Sequence, residues 1–321
     1  MPINKKMLTR LRKIFYPEKN LRDTYQIERR LVNVTHPYIL KPFYKTWDHT
    51  IQSGDHQIPV RVFFPFKEGI YPMLIFFHGG GFVTGNIDSY SKMCTRLANR
   101  MGHIVLSVDY SLAPEHPYPQ GLEDCYAVVK EIVSNTLLFN YPVDKITLMG
   151  DSAGANLAAA VSLLARDRGD FKVDQQILLY PAVYNEYTDS SPFLSVVENG
   201  KDYLLTQTRM TNYLKLYVNS PEDLKSPYVA PLLAEDLSHQ PRTLIITAEY
   251  DLLRDEGKAY GEKLKEAGCE VEYYEIPNAI HGFFLLPPLF EEVKICYTII
   301  NQFLNKGTDD EPNKNTWLEK T

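Results

Sequence analysis

The stretch Leu148-Met149-Gly150-Asp151-Ser152-Ala153-Gly154 decides the fold of this 321-residue chain. An apolar run, Lys145-Ile146-Thr147-Leu148-Met149, leads into it, and an Ala-rich run, Ala155-Asn156-Leu157-Ala158-Ala159-Ala160-Val161, leads out. The first reads as a strand and the second as a helix. Only a sharp turn joins the two in so few residues, and it holds its central residue at strained backbone angles. Glycines two positions either side of Ser152 remove the Cβ atoms that would collide across such a turn. The Ser152 hydroxyl is thereby raised out of the packing, beside the positive end of the following helix. A serine in an ordinary strand-to-helix turn is the competing reading, and it leaves both glycines unexplained.

Working outward, strands and helices alternate from about residue 45. Strands are expected over Ile58–Phe64, Met73–Phe77, Ile104–Asp109, Lys145–Met149, Gln176–Tyr180, Leu244–Ala248 and Val271–Ile276. Helices are expected over Ser89–Met101, Pro119–Ser134, Ala155–Asp167, Asp255–Ala267 and Pro288–Leu304. Strands rich in Ile, Leu, Val and Phe with no polar alternation are buried on both faces, which implies an α/β protein with a mostly parallel sheet covered by helices. Two segments break the rhythm. Residues 1–45 precede it, and residues 183–226 interrupt it just past a strand tip, where such sheets carry their sites. Both read as a helical cap over a core formed by residues 46–182 and 227–305, with 306–321 a loose polar tail. The aromatic residues Tyr184, Tyr187, Phe193, Tyr203, Tyr213 and Tyr217 of the insertion read as ordinary helix packing.

Composition narrows the function. At 44% apolar the chain is long enough for one large α/β core with an accessory piece. A net charge of −6 argues against a nucleic-acid partner. No stretch is long and apolar enough to span a bilayer, and Met1 to Arg30 lacks the apolar region of a secretory signal. Cys94, Cys125, Cys269 and Cys296 match no metal-ligand spacing and read as reduced thiols of a cytoplasmic protein. Residues 1–30 nevertheless carry nine Lys/Arg against three Asp/Glu. Met7, Leu8, Leu11, Ile14 and Phe15 fall near helical spacing there, as a stripe buried against the body or, alternatively, laid on a membrane surface.

A serine hydroxyl is a weak nucleophile until a base takes its proton, and the base needs an orienting carboxylate. Both must stand at strand tips on the edge that carries Ser152. His281 follows the strand Val271–Ile276 and precedes the last helix. Asp251 follows the strand Leu244–Ala248. The order Ser152, Asp251, His281 is that of α/β-hydrolases. His36, His49, His56 and His239 sit in loops or near termini with no strand before them, His103 lies at the opposite sheet edge, and His116 is a second choice in a proline-rich loop. Glu249 competes with Asp251, whereas Asp255 and Glu256 read as favourable charges at a helix N-terminus. The run Phe76-Phe77-His78-Gly79-Gly80-Gly81-Phe82 ends another core strand. Its glycines let backbone donors approach a developing oxyanion, and the N–H groups of Gly80, Gly81 and Ala153 are the candidate donors. A phosphate loop would need a different glycine spacing and a lysine. His78 reads as a brace for this loop, and Asp151 as a brace for the serine turn.

Together these residues resemble the hormone-sensitive-lipase, or GDXG, family of carboxylesterases within the α/β-hydrolases. The resemblance covers roughly residues 70–290. It rests on His78-Gly79-Gly80-Gly81-Phe82, Asp109-Tyr110-Ser111-Leu112-Ala113-Pro114-Glu115-His116-Pro117-Tyr118-Pro119, Gly150-Asp151-Ser152-Ala153-Gly154, Asp251-Leu252-Leu253-Arg254-Asp255-Glu256-Gly257 and His281-Gly282-Phe283. It implies a Ser152–His281–Asp251 triad, an oxyanion hole at Gly80, Gly81 and Ala153, a cap built from the N-terminus and an insertion, short-acyl ester substrates and frequent homodimers; the expected enzyme is an ester hydrolase with neither metal nor cofactor. Ser111 stands where arginine is usual and Leu252 where proline is common, a change expected to loosen the loop that holds Asp251. Glu115 and Glu123 read as structural ion partners. A peptidase or amidase on the same scaffold, and a non-catalytic small-molecule receptor, are the alternatives. An intact triad disfavours the receptor.

Overall fold

A computed structural model describes residues 21–35, 45–135 and 145–306. The expected stripe between Met7 and Phe15, His36, and the tail past Lys306 lie outside the described residues. Eight strands form one sheet: β1 Thr46–Ser53, β2 His56–Phe63, β3 Met73–Phe77, β4 Ile104–Val108, β5 Ile146–Asp151, β6 Gln175–Leu179, β7 Arg242–Tyr250 and β8 Val271–Ile280. Their spatial order is β1-β2-β4-β3-β5-β6-β7-β8. The β1–β2 and β2–β4 pairs are antiparallel, and every later neighbour pair is parallel.

The apolar runs of the central strands work as expected of strands covered on both sides. In β3, Met73, Ile75 and Phe77 enter one core while Leu74 and Phe76 enter the other, and all five are buried. Helices α3 (Gln120–Ser134), α4 (Ala153–Arg168) and α7 (Arg254–Glu266) supply the first core. Helices α2 (Ile87–Met101) and α8 (Glu291–Asn305) supply the second. Every residue of α4 from Ala153 to Ala165 is buried, which explains its alanines: small side chains let a central helix lie close to the sheet.

Strand β1 was not foreseen. Its sequence TWDHTIQS has no apolar run because it is an outer strand paired only with β2, leaving its polar residues in water. His49 therefore stands within a strand, stacked on Trp47, and His56 opens β2 and bonds Asp124 at 2.8 Å, so neither is a loop residue. The ends β7 and β8 run longer than expected, because a polar outer strand such as β8 continues by backbone pairing after its apolar pattern stops.

Three further helices cover the sheet's carboxyl edge. Helix α1 (Leu21–Thr35) precedes the core, and α5 (Leu194–Asn199) and α6 (Gln207–Tyr217) lie between β6 and β7. Helix α1 packs against α6 and α2. Buried Asn156 of α4 ties down both stems of the β6–β7 connection, donating from Nδ2 to the Ala182 carbonyl at 2.6 Å and the Val229 carbonyl at 2.8 Å. Among the described residues no helix is long and apolar enough to cross a membrane.

Candidate active site

Ser152 is placed by the junction of β5 and α4. It adopts φ 55° and ψ −119°, a left-handed conformation that side-chain-bearing residues rarely hold. The flanking glycines make this geometry accessible. A Cβ on Gly150 would stand 2.2 Å from the Gly154 carbonyl, and one on Gly154 would stand 2.0 Å from the Phe77 carbonyl. The Ser152 N–H is satisfied by the Leu179 carbonyl of β6 at 2.9 Å, which fixes the turn to the neighbouring strand.

Three distant segments meet at this serine. His281 follows β8 and approaches with Nε2 2.9 Å from Ser152 Oγ, while its Nδ1 stands 2.6 Å from Asp251 Oδ2. A carboxylate only accepts, so Nδ1 carries the proton and Nε2 is left as the acceptor for the serine hydroxyl. Asp251 is fully sequestered, its other oxygen taking the Leu253 N–H at 3.0 Å. The Tyr180 ring packs edge-on against the imidazole, centroids 4.9 Å apart. Glu249, the competing carboxylate, is engaged elsewhere by the Asn278 N–H at 2.7 Å. His116, the second-choice base, lies in the Pro-rich loop, and His103 is buried with Nδ1 on the Met101 carbonyl at 2.8 Å.

The glycine run lies beside Ser152. Gly80 at φ 118° and Gly81 at φ 63° need glycine's freedom, and the turn closes through bonds from Val83 and Thr84 N–H to the Gly80 carbonyl. The N–H groups of Gly80 and Gly81 donate to no acceptor among the described residues. Ala153 is the first residue of α4, so its N–H has no intrahelical partner. Asp151 couples the serine turn to the glycine run. Its Oδ1 accepts the Gly79 N–H at 2.8 Å, and its Oδ2 accepts the Tyr90 hydroxyl at 3.1 Å. Burial pushes its carboxyl up to about 6 despite these donors. His78 bonds the Gly79 carbonyl through Nδ1 at 2.8 Å and stacks on Tyr110, and burial depresses its basicity.

Of the two acidic residues expected as charges at the helix N-terminus, Glu256 departs from that expectation, because it is buried and turned onto the β6–β7 connection. Asp255 accepts the Ser195 N–H at 2.8 Å. Buried Glu256 accepts from Val183 N–H, Tyr184 N–H and the Tyr187 hydroxyl, and so holds the first residues of the β6–β7 connection. Burial raises its carboxyl to about 8. Helix α5 braces the loop carrying Asp251 where proline was absent: Ser195 Oγ donates to the buried Leu252 carbonyl at 2.8 Å, and Asn199 Nδ2 to the Asp251 carbonyl at 3.2 Å. Glu115 and Glu123 do form ion pairs, with Arg29 at 2.9 Å and Arg168 at 2.6 Å.

A cavity of about 290 Å³ opens over Ser152, walled by Leu204, Leu205, Met210, Leu214, Ala182 and Leu285 and by the buried pair Glu28 and Arg209. Of the six aromatic residues in the insertion, Tyr213 reaches this wall, while Tyr217 stacks on Phe82, itself part of the lining. Glu28, Arg209 and Tyr90 were not foreseen in this site. Glu28 and Arg209 are far apart in the chain and carry no motif. Among the described residues no cluster of His, Cys, Asp and Glu has the makings of a metal site.

The family with the alpha/beta hydrolase fold matches residues 74–285, from β3 past His281. The chain belongs to the α/β-hydrolases of hormone-sensitive-lipase type. This α/β-hydrolase is 34% identical over 255 residues to an arylesterase of Saccharolobus solfataricus, a match covering 79% of this chain and 82% of that one. It is 35% identical over 260 residues to the carboxylesterase NlhH of Mycobacterium tuberculosis, with coverage of 79% and 80%. The solved structure of a hyperthermophilic esterase from the archaeon Pyrobaculum calidifontis superposes on it with a TM-score of 0.81 at 35% identity, covering 94% of this chain and 97% of that one.

Proposed function

We propose that this carboxylesterase cleaves short-chain acyl esters through an acyl-enzyme on Ser152. The observation that supports the reading is the unbroken series from Ser152 Oγ to His281 Nε2 at 2.9 Å and from His281 Nδ1 to Asp251 at 2.6 Å. His281 takes the hydroxyl proton as Oγ attacks the ester carbonyl. Asp251 holds the ring in the required tautomer and offsets the charge of the imidazolium. The carbonyl oxygen gains negative charge in the tetrahedral intermediate and is received by the N–H groups of Gly80, Gly81 and Ala153. His281 then gives its proton to the departing alkoxide, and the alcohol leaves. Water, deprotonated by the same imidazole, attacks the acyl-enzyme and releases the acid.

The cavity supports a small, largely apolar acyl or alcohol portion, since Leu204, Leu205, Met210, Leu214 and Leu285 line it beside the rings of Phe82 and Tyr213. The reading keeps a cytoplasmic setting and a homodimer, the first argued from the scattered cysteines and the second from the family. Ser152→Ala is expected to abolish hydrolysis of p-nitrophenyl acetate or butyrate while leaving the circular dichroism spectrum unchanged. Turnover retained by a folded Ser152→Ala protein refutes the acyl-enzyme route.

A further inference from the structure

The wall of the cavity holds an ion pair that hydrolysis as described does not use. Glu28 of α1 and Arg209 of α6 have side chains only 5% and 12% exposed. Buried pairs of this kind are poor sources of stability, because desolvating two charges offsets most of their attraction, and apolar replacements often do as well. Their contacts suggest another use. Arg209 gives Nη1 to Glu28 Oε1 at 3.3 Å and Nη2 to Glu28 Oε2 at 2.5 Å, and also gives Nη2 to the Tyr213 hydroxyl at 2.6 Å. Arg209 and Tyr213 are one helical turn apart, and the guanidinium carbon lies 5.1 Å from the ring centroid. The ring in turn lies on Gly81: a Cβ there would stand 2.4 Å from Tyr213 Cγ.

The same turn of α1 reaches the glycine loop a second way. Arg29 donates Nε to the Val83 carbonyl at 2.7 Å and Nη2 to the Ala113 carbonyl at 2.8 Å, and Val83 itself bonds the Gly80 carbonyl at 3.1 Å. Consecutive residues of one helix thus hold the loop by its backbone and by the aromatic ring pressed on it.

We propose that Glu28 is a positioning residue for ester hydrolysis: through Arg209 it holds Tyr213 against Gly81 and so fixes the N–H groups that receive the oxyanion. The proposal rests on the role given above to Gly80 and Gly81. A loop displaced by a fraction of an ångström still binds ester but stabilises the tetrahedral anion less well, so the loss falls on kcat rather than KM.

The test compares wild type, Glu28→Gln, the double variant Glu28→Gln/Arg209→Met, and Ser152→Ala, using p-nitrophenyl acetate turnover, the rate of labelling by an organophosphonate, and Tm. Glu28→Gln is expected to lower kcat roughly tenfold, and phosphonate labelling in step, with KM within about twofold of wild type. It also strands the Arg209 charge, so Tm falls. The double variant removes that charge, and Tm returns while kcat stays low. Recovery of kcat together with Tm in the double variant overturns the proposal, since the pair then acts through stability alone. So does unchanged kcat in Glu28→Gln beside an inactive Ser152→Ala. A Ser152→Ala protein that still turns over sinks the acyl-enzyme reading itself, and this proposal with it.

Discussion

At the scale of single residues, backbone angle and side-chain chemistry are selected together at the positions that matter. Ser152 holds φ 55° because Gly150 and Gly154 leave room for the turn, and Gly81 holds φ 63° with Tyr213 against its Cα. Gly81→Ala therefore adds a methyl group where the phenol ring already lies and strains a left-handed backbone as well. If Gly81 receives the oxyanion as proposed, the expected result is a loss of about a hundredfold in kcat, the cost of one misplaced donor, with little change in secondary structure. Steady-state kinetics beside circular dichroism checks it, and wild-type turnover would show that the added methyl group does not displace the N–H groups of this loop. That Ser152, Asp251 and His281 meet was legible in the sequence because each follows a strand of the alternating pattern and the three stand in a recognisable chain order, while glycine spacing is a local signal of turn geometry. Glu28 and Arg209 were not legible. Their contact joins residues 181 positions apart, and neither neighbourhood announces it.

At the scale of elements, apolar runs revealed the strands buried on both faces, whereas β1, with one side in water, showed no such run. Helix α5 escaped notice for a related reason. Its six residues are too few for a helical period to emerge. Yet α5 ties the β6–β7 connection to the loop carrying Asp251 through Ser195, whose Oγ donates to the Leu252 carbonyl at 2.8 Å and accepts the Asp255 N–H at 3.2 Å. Ser195→Ala leaves a buried carbonyl and N–H without this partner, at a cost of about 1–3 kcal/mol. The loop carrying Asp251 then holds His281 less firmly, so kcat is expected to fall by several-fold. Urea unfolding and ester turnover measured on one preparation test both effects. Full stability with full activity would show that α5 does not brace the loop.

At the scale of the whole molecule, the β6–β7 connection is joined to the rest of the fold by buried polar groups as well as by apolar packing. Asn156 holds both stems of the β6–β7 connection, and Glu256 takes two backbone N–H groups and the Tyr187 hydroxyl at its start. Sequence alone shows an acidic residue at the start of a helix. Only the fold reveals that Glu256 points inward, away from water. Burial raises its carboxyl from 4.5 to about 8, so the folded protein keeps a proton that the unfolded chain releases at lower pH. The proton-linked stability is therefore fully present below about 4.5 and is lost as pH rises through about 8. Asp151, raised to about 6, adds a loss of the same sign at lower pH. Glu256→Gln keeps an oxygen for the three donors and carries no titrating proton. Its Tm is expected to vary less than that of wild type between about pH 4.5 and about pH 8. Glu256→Ala, by contrast, strands the donors and lowers Tm across the whole range. Thermal melts across that window decide the matter: parallel wild-type and Glu256→Gln curves would mean that Glu256 is already ionised in the folded protein, and that the decline has another source.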